Sequence, residues 1–322
     1  MDYHLYLHDD MDGVSSGALF LHFFRLRGDG ISHYYPVDFG NGFKEKWPDF
    51  RLEHPAVVVD FLYHPEADWW LDHHVSSFVK PMWQENFVAD KQHSFAPNEK
   101  SCAGQVYRFL EREYNVRWPG HFKSWVDLVD MGDSATWPTI EAALDLDSPI
   151  HKFSTIIDNY IEDETRIEYI EFKKQVIEVI CAGQVENFIS SPEFKLTLDK
   201  GKLEQEKSFE IVRNKFKLED KVAVAREIPE NLHEGTSRFI PFAVFPTSKY
   251  QALVMKTGGA YKLRMSKNPW TKGPWPLNLG AIAHELQVGG GGHDGIGIMR
   301  FTEPNLALQK LDEIITLLNT DG

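Results

Sequence analysis

Three short apolar runs within the first 74 residues end in acids or imidazoles, and this placement constrains the fold more than anything else in the chain. HLYLH runs through His8 into Asp10 and Asp12, PAVVVD ends at Asp60, and DWWLDHH ends at Asp72, His73 and His74. An unbroken apolar run such as Ala56 to Val59 suits a strand covered on both faces, as in a parallel sheet. Parallel strands need crossover connections, and SSGALFLHFFRLRG has helical spacing, with Ser15 or Ser16 placed to cap it. A strand, a ligand-bearing turn and a helix, interleaved with further strands, make an α/β first domain. Reactive groups in open parallel sheets collect beyond the carboxyl ends of the strands. His8, Asp10, Asp60, Asp72 and His73 all fall there.

At 322 residues the chain exceeds the roughly 250 to 300 at which one hydrophobic core stops growing, so two domains are expected. No apolar run approaches the roughly 20 residues needed to span a bilayer, which argues against a membrane partner. The start MDYHLYLHDD has neither a basic region nor an apolar signal core, pointing to a cytoplasmic protein. Cys102 and Cys181 are the only cysteines, too few for a thiolate zinc cluster or a disulfide framework, and both read as buried thiols. The formal charge of -14 argues against coating long duplex nucleic acid, because that binding depends on Lys and Arg neutralising phosphates. Carboxylates that hold metal are compensated by the ion, so a small phosphorylated ligand stays compatible with an acidic exterior.

Farther along, Ser101 is placed to cap the helix CAGQVYRFLEREY, and another helix is expected around Lys123 to Met131. The longest helical stretch is expected from Asp158 to Phe188, with Ile161, Ile167, Ile170, Val176, Ile177 and Ile180 on its apolar face. Glu162, Asp163 and Glu164 read as a solvated first turn. FISSPEF breaks that helix, and the Lys- and Glu-rich stretch from Asp199 to Asp220 reads as the passage into a second domain. KVAVARE and PFAVFP look like strands, and QALVMK and YKLRMS form a hairpin closed by Gly258 and Gly259. LNLGAIAHEL is a short helix leading into GGGGH, IGIMRF a strand, and PNLALQKLDEIITLLN a closing amphipathic helix. The expected division is a catalytic domain over 1–155, a connecting helix and linker over 156–200, and a smaller α/β domain over 201–322.

A phosphodiester resists hydrolysis because its oxygens repel hydroxide and its leaving alkoxide is poor. Two divalent metals held roughly 3.5 to 4 Å apart address both difficulties, given anionic ligands and a carboxylate able to bridge. His8, Asp10, Asp12, Asp60 and His73 provide that set. The mixture of imidazole and carboxylate favours Mn²⁺. Singly, His8 could be a satisfied strand-end histidine, Asp12 a turn residue before Gly13, and Asp60 a helix cap; it is the combination that points to chemistry.

With HDDMDG, a strand ending in Asp, and the triplet Asp72-His73-His74, the chain resembles the DHH phosphoesterase superfamily. YKLRMS resembles the family's arginine-bearing strand, and GGGGH, Gly289 to His293, the signature of its associated substrate-binding domain. The resemblance spans nearly the whole chain, with the motifs in family order. It implies that His8 and Asp10 hold one metal and Asp12 and His73 the other, with Asp60 bridging. It also implies a further ligand in the context Gly132-Asp133-Ser134-Ala135, so Asp133 is expected, with Asp130 as the alternative if the alignment shifts. Asp72 would orient an imidazole, and His74 would face the scissile phosphate. In the second domain, Arg264, Gly290, Gly291, Gly292 and His293 would bind substrate.

The expected function is therefore a two-metal phosphodiesterase or phosphatase, working through a bridging hydroxide. Its expected substrates are short oligoribonucleotides or linear and cyclic dinucleotides. The alternatives are a polyphosphatase or nucleoside-bisphosphate phosphatase, and a non-catalytic nucleotide-binding regulator. The resemblance also implies a homodimer. Trp270 and Trp275, in NPWTKGPWP, offer a candidate base-stacking surface, and the remaining histidines read as solvated or capping.

Overall fold

The computed structural model describes residues 1–38, 43–160, 166–230, 232, 237–273, 276–286 and 290–320. They divide into two compact units, Met1–Thr136 with Asp147–Leu198, and Trp137–Leu146 with Asp199–Gly322. Among the described residues no helix is long and apolar enough to cross a membrane.

The first unit is built on a five-stranded parallel sheet in the order β2-β1-β3-β4-β5. Its strands are β1 Asp2–His8, β2 Gly30–Val37, β3 Ala56–Val59, β4 Trp69–Asp72 and β5 His93–Phe95. Every residue of β3 and β4 is buried, as unbroken apolar runs require. Tyr6, Val58 and Trp70 lie in one cross-strand row and pack with Trp47 and Phe61 on one face. On the other face Trp69 meets the edges of Phe20 and Phe23 from the helix Met11–Leu26. Leu7, Val59 and Leu71 form the last full row of β1, β3 and β4. His8, Asp60 and Asp72 are therefore the next residues on three adjacent strands, side by side at the carboxyl edge.

The second unit carries a mixed six-stranded sheet in the order β10-β11-β9-β8-β7-β6. Its strands are β6 Lys217–Glu219, β7 Val222–Val224, β8 Tyr250–Thr257, β9 Ala260–Lys267, β10 Gly291–His293 and β11 Ile296–Phe301. Only β7 and β8 pair in parallel. The β8–β9 hairpin turns at Gly258 and Gly259, both at positive φ. Leu279 and Ala283 from the helix Leu279–Leu286, and Ala307, Leu311 and Ile314 from the helix Pro304–Thr320, fill one face. On the other face Leu253 and Met255 pack with Val212 and Phe216.

Local expectations differ from the structure at four places. The first helix starts at Met11, not at the serines: Asp10 caps it by accepting from the Gly13 amide at 3.0 Å, while Ser15 and Ser16 are buried inside it. The stretch 158–188 is divided among the helices Pro149–Asn159, Arg166–Cys181 and Val185–Ile189. Gly183, at φ 67°, closes the second of these, its amide bonding Ile180 O and the next amide bonding Val179 O. Ile161, Glu162, Asp163 and Glu164 lie outside the described residues, and Ile167, expected on the apolar face, is 75% exposed. Among the described residues the longest helix is Lys195–Lys215, where only a passage was expected. PFAVFP contributes to a helix, Ile240–Val244, because Pro241 near its start presets helical φ and gives up an amide that has no helical acceptor there.

Candidate metal centre

The turn after β1 is tightly built. A Cβ on Gly13 would stand 1.9 Å from His8 O, so only glycine lets the helix begin this close to the strand end. Asp12, 2% exposed, accepts from the Cys102 and Ala103 amides at 2.6 and 2.7 Å. It thereby meets the positive end of the helix Cys102–Tyr114. Asp60 follows β3 at φ 54°, a left-handed conformation that costs a non-glycine residue about 1 kcal/mol or more. Its amide is anchored to Leu71 O at 3.1 Å. Asp72 is fully buried and accepts from the His73 amide and from His74 Nδ1, both at 2.8 Å, and from the Ser77 hydroxyl.

These constructions bring two ligand groups together, His8 with Asp10 and Asp60, and Asp12 with His73 and Asp133. His8 Nδ1 lies 2.9 Å from Asp10 Oδ2 and 3.5 Å from Asp60 Oδ2. His73 Nε2 lies 3.6 Å from Asp12 Oδ2, 3.8 Å from Asp60 Oδ1 and 3.6 Å from Asp133 Oδ2. Asp60 thus turns one oxygen toward each group. Neither of those oxygens has a hydrogen-bond donor among the described residues. The imidazoles of His8, His74 and His73 stand 3.5, 3.6 and 3.8 Å from them, too far to satisfy a buried carboxylate fully. Cations held by the two groups would offset what remains of the cost of that burial, and the surrounding imidazoles and carboxylates are suitable ligands for Mn²⁺ or a similar ion.

Without metal the electrostatics are strained in the direction a cation would relieve. Burial and the neighbouring Asp133 push the Asp12 carboxyl up to about 7, and burial with Asp12 and Asp10 holds Asp60 well above the usual carboxylate range. Burial pulls the His74 imidazole down, but the Asp72 carboxylate outweighs it and raises the group to about 10. His8 is raised in the same way, Asp10 and Asp60 overcoming its burial.

The alternative ligand Asp130 is engaged elsewhere: its carboxylate accepts from Ser101 Oγ at 2.6 Å and Arg108 Nη1 at 3.0 Å. In the second unit Arg264 lies on β9, 7% exposed, opposite Ile298 of β11, which is itself opposite Gly291 of β10. Arg264 and Gly291 therefore occupy one cross-strand row. Gly292 has φ 138° and no room for a Cβ, which would stand 2.1 Å from Ile296 O. His293 ends β10, opposite Ile296; Gly289 lies outside the described residues, and Gly290 directly precedes the strand. Trp270 donates its indole N–H to Trp137 O at 3.1 Å and packs edge-on against Phe239, while Trp275 lies outside the described residues.

Sequence reasoning did not single out several residues that the structure places near these groups or beside Arg264. Ser77 was passed over, although it stands five residues after Asp72 and braces it. Lys262 and Arg300 form a directly opposed pair on the sheet face that carries Arg264, and only the register shows this. Lys173, 2% exposed, reaches Asp9, in the turn after β1, from the helix Arg166–Cys181. A lysine in phase with Val176, Ile177 and Ile180 was the available signal.

No family model and no curated protein matches this sequence. Solved structures do share its fold. A pGpG-specific phosphodiesterase, PggH from Vibrio cholerae, is 19% identical over 99% of this chain and 100% of its own, with a TM-score of 0.72. RecJ from Thermus thermophilus, in complex with Mn²⁺, is 11% identical over 99% of this chain, which spans 52% of that one, with a TM-score of 0.58. An exonuclease RecJ bound to manganese is 12% identical over 100% of this chain and 90% of its own, with a TM-score of 0.53.

Proposed function

We infer that this chain, which has the fold of the DHH phosphoesterases, is a metal-dependent phosphodiesterase. Its proposed substrates are short oligoribonucleotides or linear and cyclic dinucleotides. The observation that carries this reading is Asp60, fully buried and with one oxygen turned toward each ligand group. His8 and Asp10 would hold one ion and Asp12, His73 and Asp133 the other, with Asp60 shared; Mn²⁺ is the proposed metal. Two such ions supply charge neutralisation at a phosphoryl group and a lowered pKa for water.

The protein's own side chains complete the assignment. Asp72 accepts His74 Nδ1–H, which fixes the ring and favours its protonated form, so that Nε2–H can be given to the leaving oxygen. Ser77 holds the Asp72 carboxylate in place. In the second unit Arg264 provides a planar fork for a phosphate, and Gly290, Gly291 and Gly292 with His293 provide close backbone approach and a further donor. Lys262 and Arg300 lie on the same sheet face as Arg264. The formal charge of -14 disfavours a long polyanion, and the fold neighbour PggH is a pGpG-specific enzyme. A cytoplasmic location and a homodimer belong to the same proposal.

A screen of diribonucleotides, cyclic dinucleotides, polyphosphate and nucleoside bisphosphates with added Mn²⁺ tests the substrate class, and turnover of the nucleotides over the rest is expected. Asp60→Asn should reduce that hydrolysis below detection while leaving the protein folded. An active Asp60→Asn protein sinks the mechanism. Tight dinucleotide binding without turnover at saturating Mn²⁺ would instead make the protein a regulator.

A further inference from the structure

Lys173 is a fully enclosed lysine in a helix whose neighbouring inward positions, Phe172, Val176, Ile177 and Ile180, are apolar. Lysine is almost never buried unless paired, because its desolvation costs several kcal/mol. Here the ammonium donates to two backbone carbonyls, Asp9 O at 2.5 Å and Ile157 O at 3.2 Å. One turn earlier Tyr169 donates its hydroxyl to Asp9 Oδ2 at 2.5 Å, with the Lys173 ammonium 5.2 Å from its ring centroid. One turn before that, Arg166 donates to Pro36 O at 2.7 Å, near the end of β2. Residues spaced i, i+3 and i+7 share a helix face. This face is thus aimed at the ends of β1 and β2, and two of its three side chains grip the residue between His8 and Asp10.

We propose that Lys173 and Tyr169 are positioning residues for the metal turn: they clamp Asp9 by its carbonyl and its carboxylate, and so set the separation of His8 and Asp10. The inference rests on the two-metal reading of the site. Neither residue touches the ligand atoms described above; each acts through Asp9. Outer partners of this kind are worth 10- to 100-fold in metal affinity. Charge and positioning make opposite forecasts here. Removing an ammonium beside Asp9 and Asp10 strengthens the local attraction for a cation, whereas releasing the turn weakens binding.

The experiment is calorimetric titration of the metal-stripped full-length chain with Mn²⁺, comparing wild type with Lys173→Met, Lys173→Arg and Tyr169→Phe. Two bound ions in the wild type are expected, with one of them weakened about 10- to 100-fold in Lys173→Met and less in Tyr169→Phe. Lys173→Arg, which keeps a cationic donor, should recover part of the loss. Unchanged or tighter Mn²⁺ binding in Lys173→Met overturns the proposal. If that variant does not fold, Tyr169→Phe decides alone, and wild-type affinity for both ions in it is equally fatal. A wild-type protein that binds no Mn²⁺ would sink the two-metal reading itself, an outcome distinct from either of these.

Discussion

Without metal, Asp12 and Asp60 stay protonated at pH values where they would be ionised in an unfolded chain. Their raised pKa values, about 7 for Asp12 and well above the usual range for Asp60, make the folded state bind more protons than the unfolded one above about pH 4. Stability that depends on this is present below pH 4 and is lost as pH rises toward 7 and beyond. In EDTA the melting temperature should therefore fall between pH 5 and pH 8. Added Mn²⁺ competes with the same protons, so its apparent affinity should rise over that interval and restore the loss at pH 8. A metal-free melting temperature that climbs from pH 5 to pH 8 would contradict this account of the cluster. The residue types that the structure brings together were legible in the chain as acids and imidazoles at the ends of apolar runs. The local context Gly132-Asp133-Ser134-Ala135 pointed to Asp133, whereas the engagement of Asp130 by Ser101 and Arg108, which arrive from elsewhere in the chain, could not be read from it.

Element ends, more than element interiors, organise this protein. β1, β3 and β4 stop in register, which is why residues 8, 60 and 72 become neighbours. The helix Met11–Leu26 holds that edge by burying Phe20 and Phe24 completely, Phe20 against Trp69. Phe20→Ala should lower the unfolding free energy by about 3 to 5 kcal/mol, read by urea denaturation. A cost under about 1 kcal/mol would mean that the face is not the packed layer described. Apolar runs and helical spacing announced these elements, whereas their limits depended on caps. Asp10 is the N-cap and a candidate ligand at once, so the helix begins four residues before the serines that looked better suited. The face of the helix Arg166–Cys181 was misread for a related reason. Ile167 lies outside the packed stripe, and Lys173 lies in it because backbone carbonyls satisfy its ammonium.

Across the whole molecule, an acidic chain keeps Lys262, Arg264 and Arg300 on one face of the second unit's sheet. Lys262 and Arg300 are directly opposed across β9 and β11, two residues along from Arg264 and Ile298. Arg264→Lys keeps the charge but loses the fork. It should raise KM for a dinucleotide on the order of tenfold, equivalent to about 1.4 kcal/mol, with kcat largely kept. A fall in kcat at constant KM would place Arg264 at the reacting phosphate instead.

The order of the runs that end in acids and imidazoles, the α/β class and the β8–β9 hairpin were determined by sequence alone. Each is a local matter of hydrophobic period, turn chemistry or residue type, and local rules act within about ten residues. What only the tertiary structure decided is long-range. It includes the engagement of Asp130, the amides that Asp12 receives from Cys102 and Ala103, and the reach of Lys173 across 164 residues to Asp9. The passage of residues 137–146 into the second unit is of the same kind. Such contacts follow from which surfaces bury against which, and a buried polar group takes whichever partner that packing delivers.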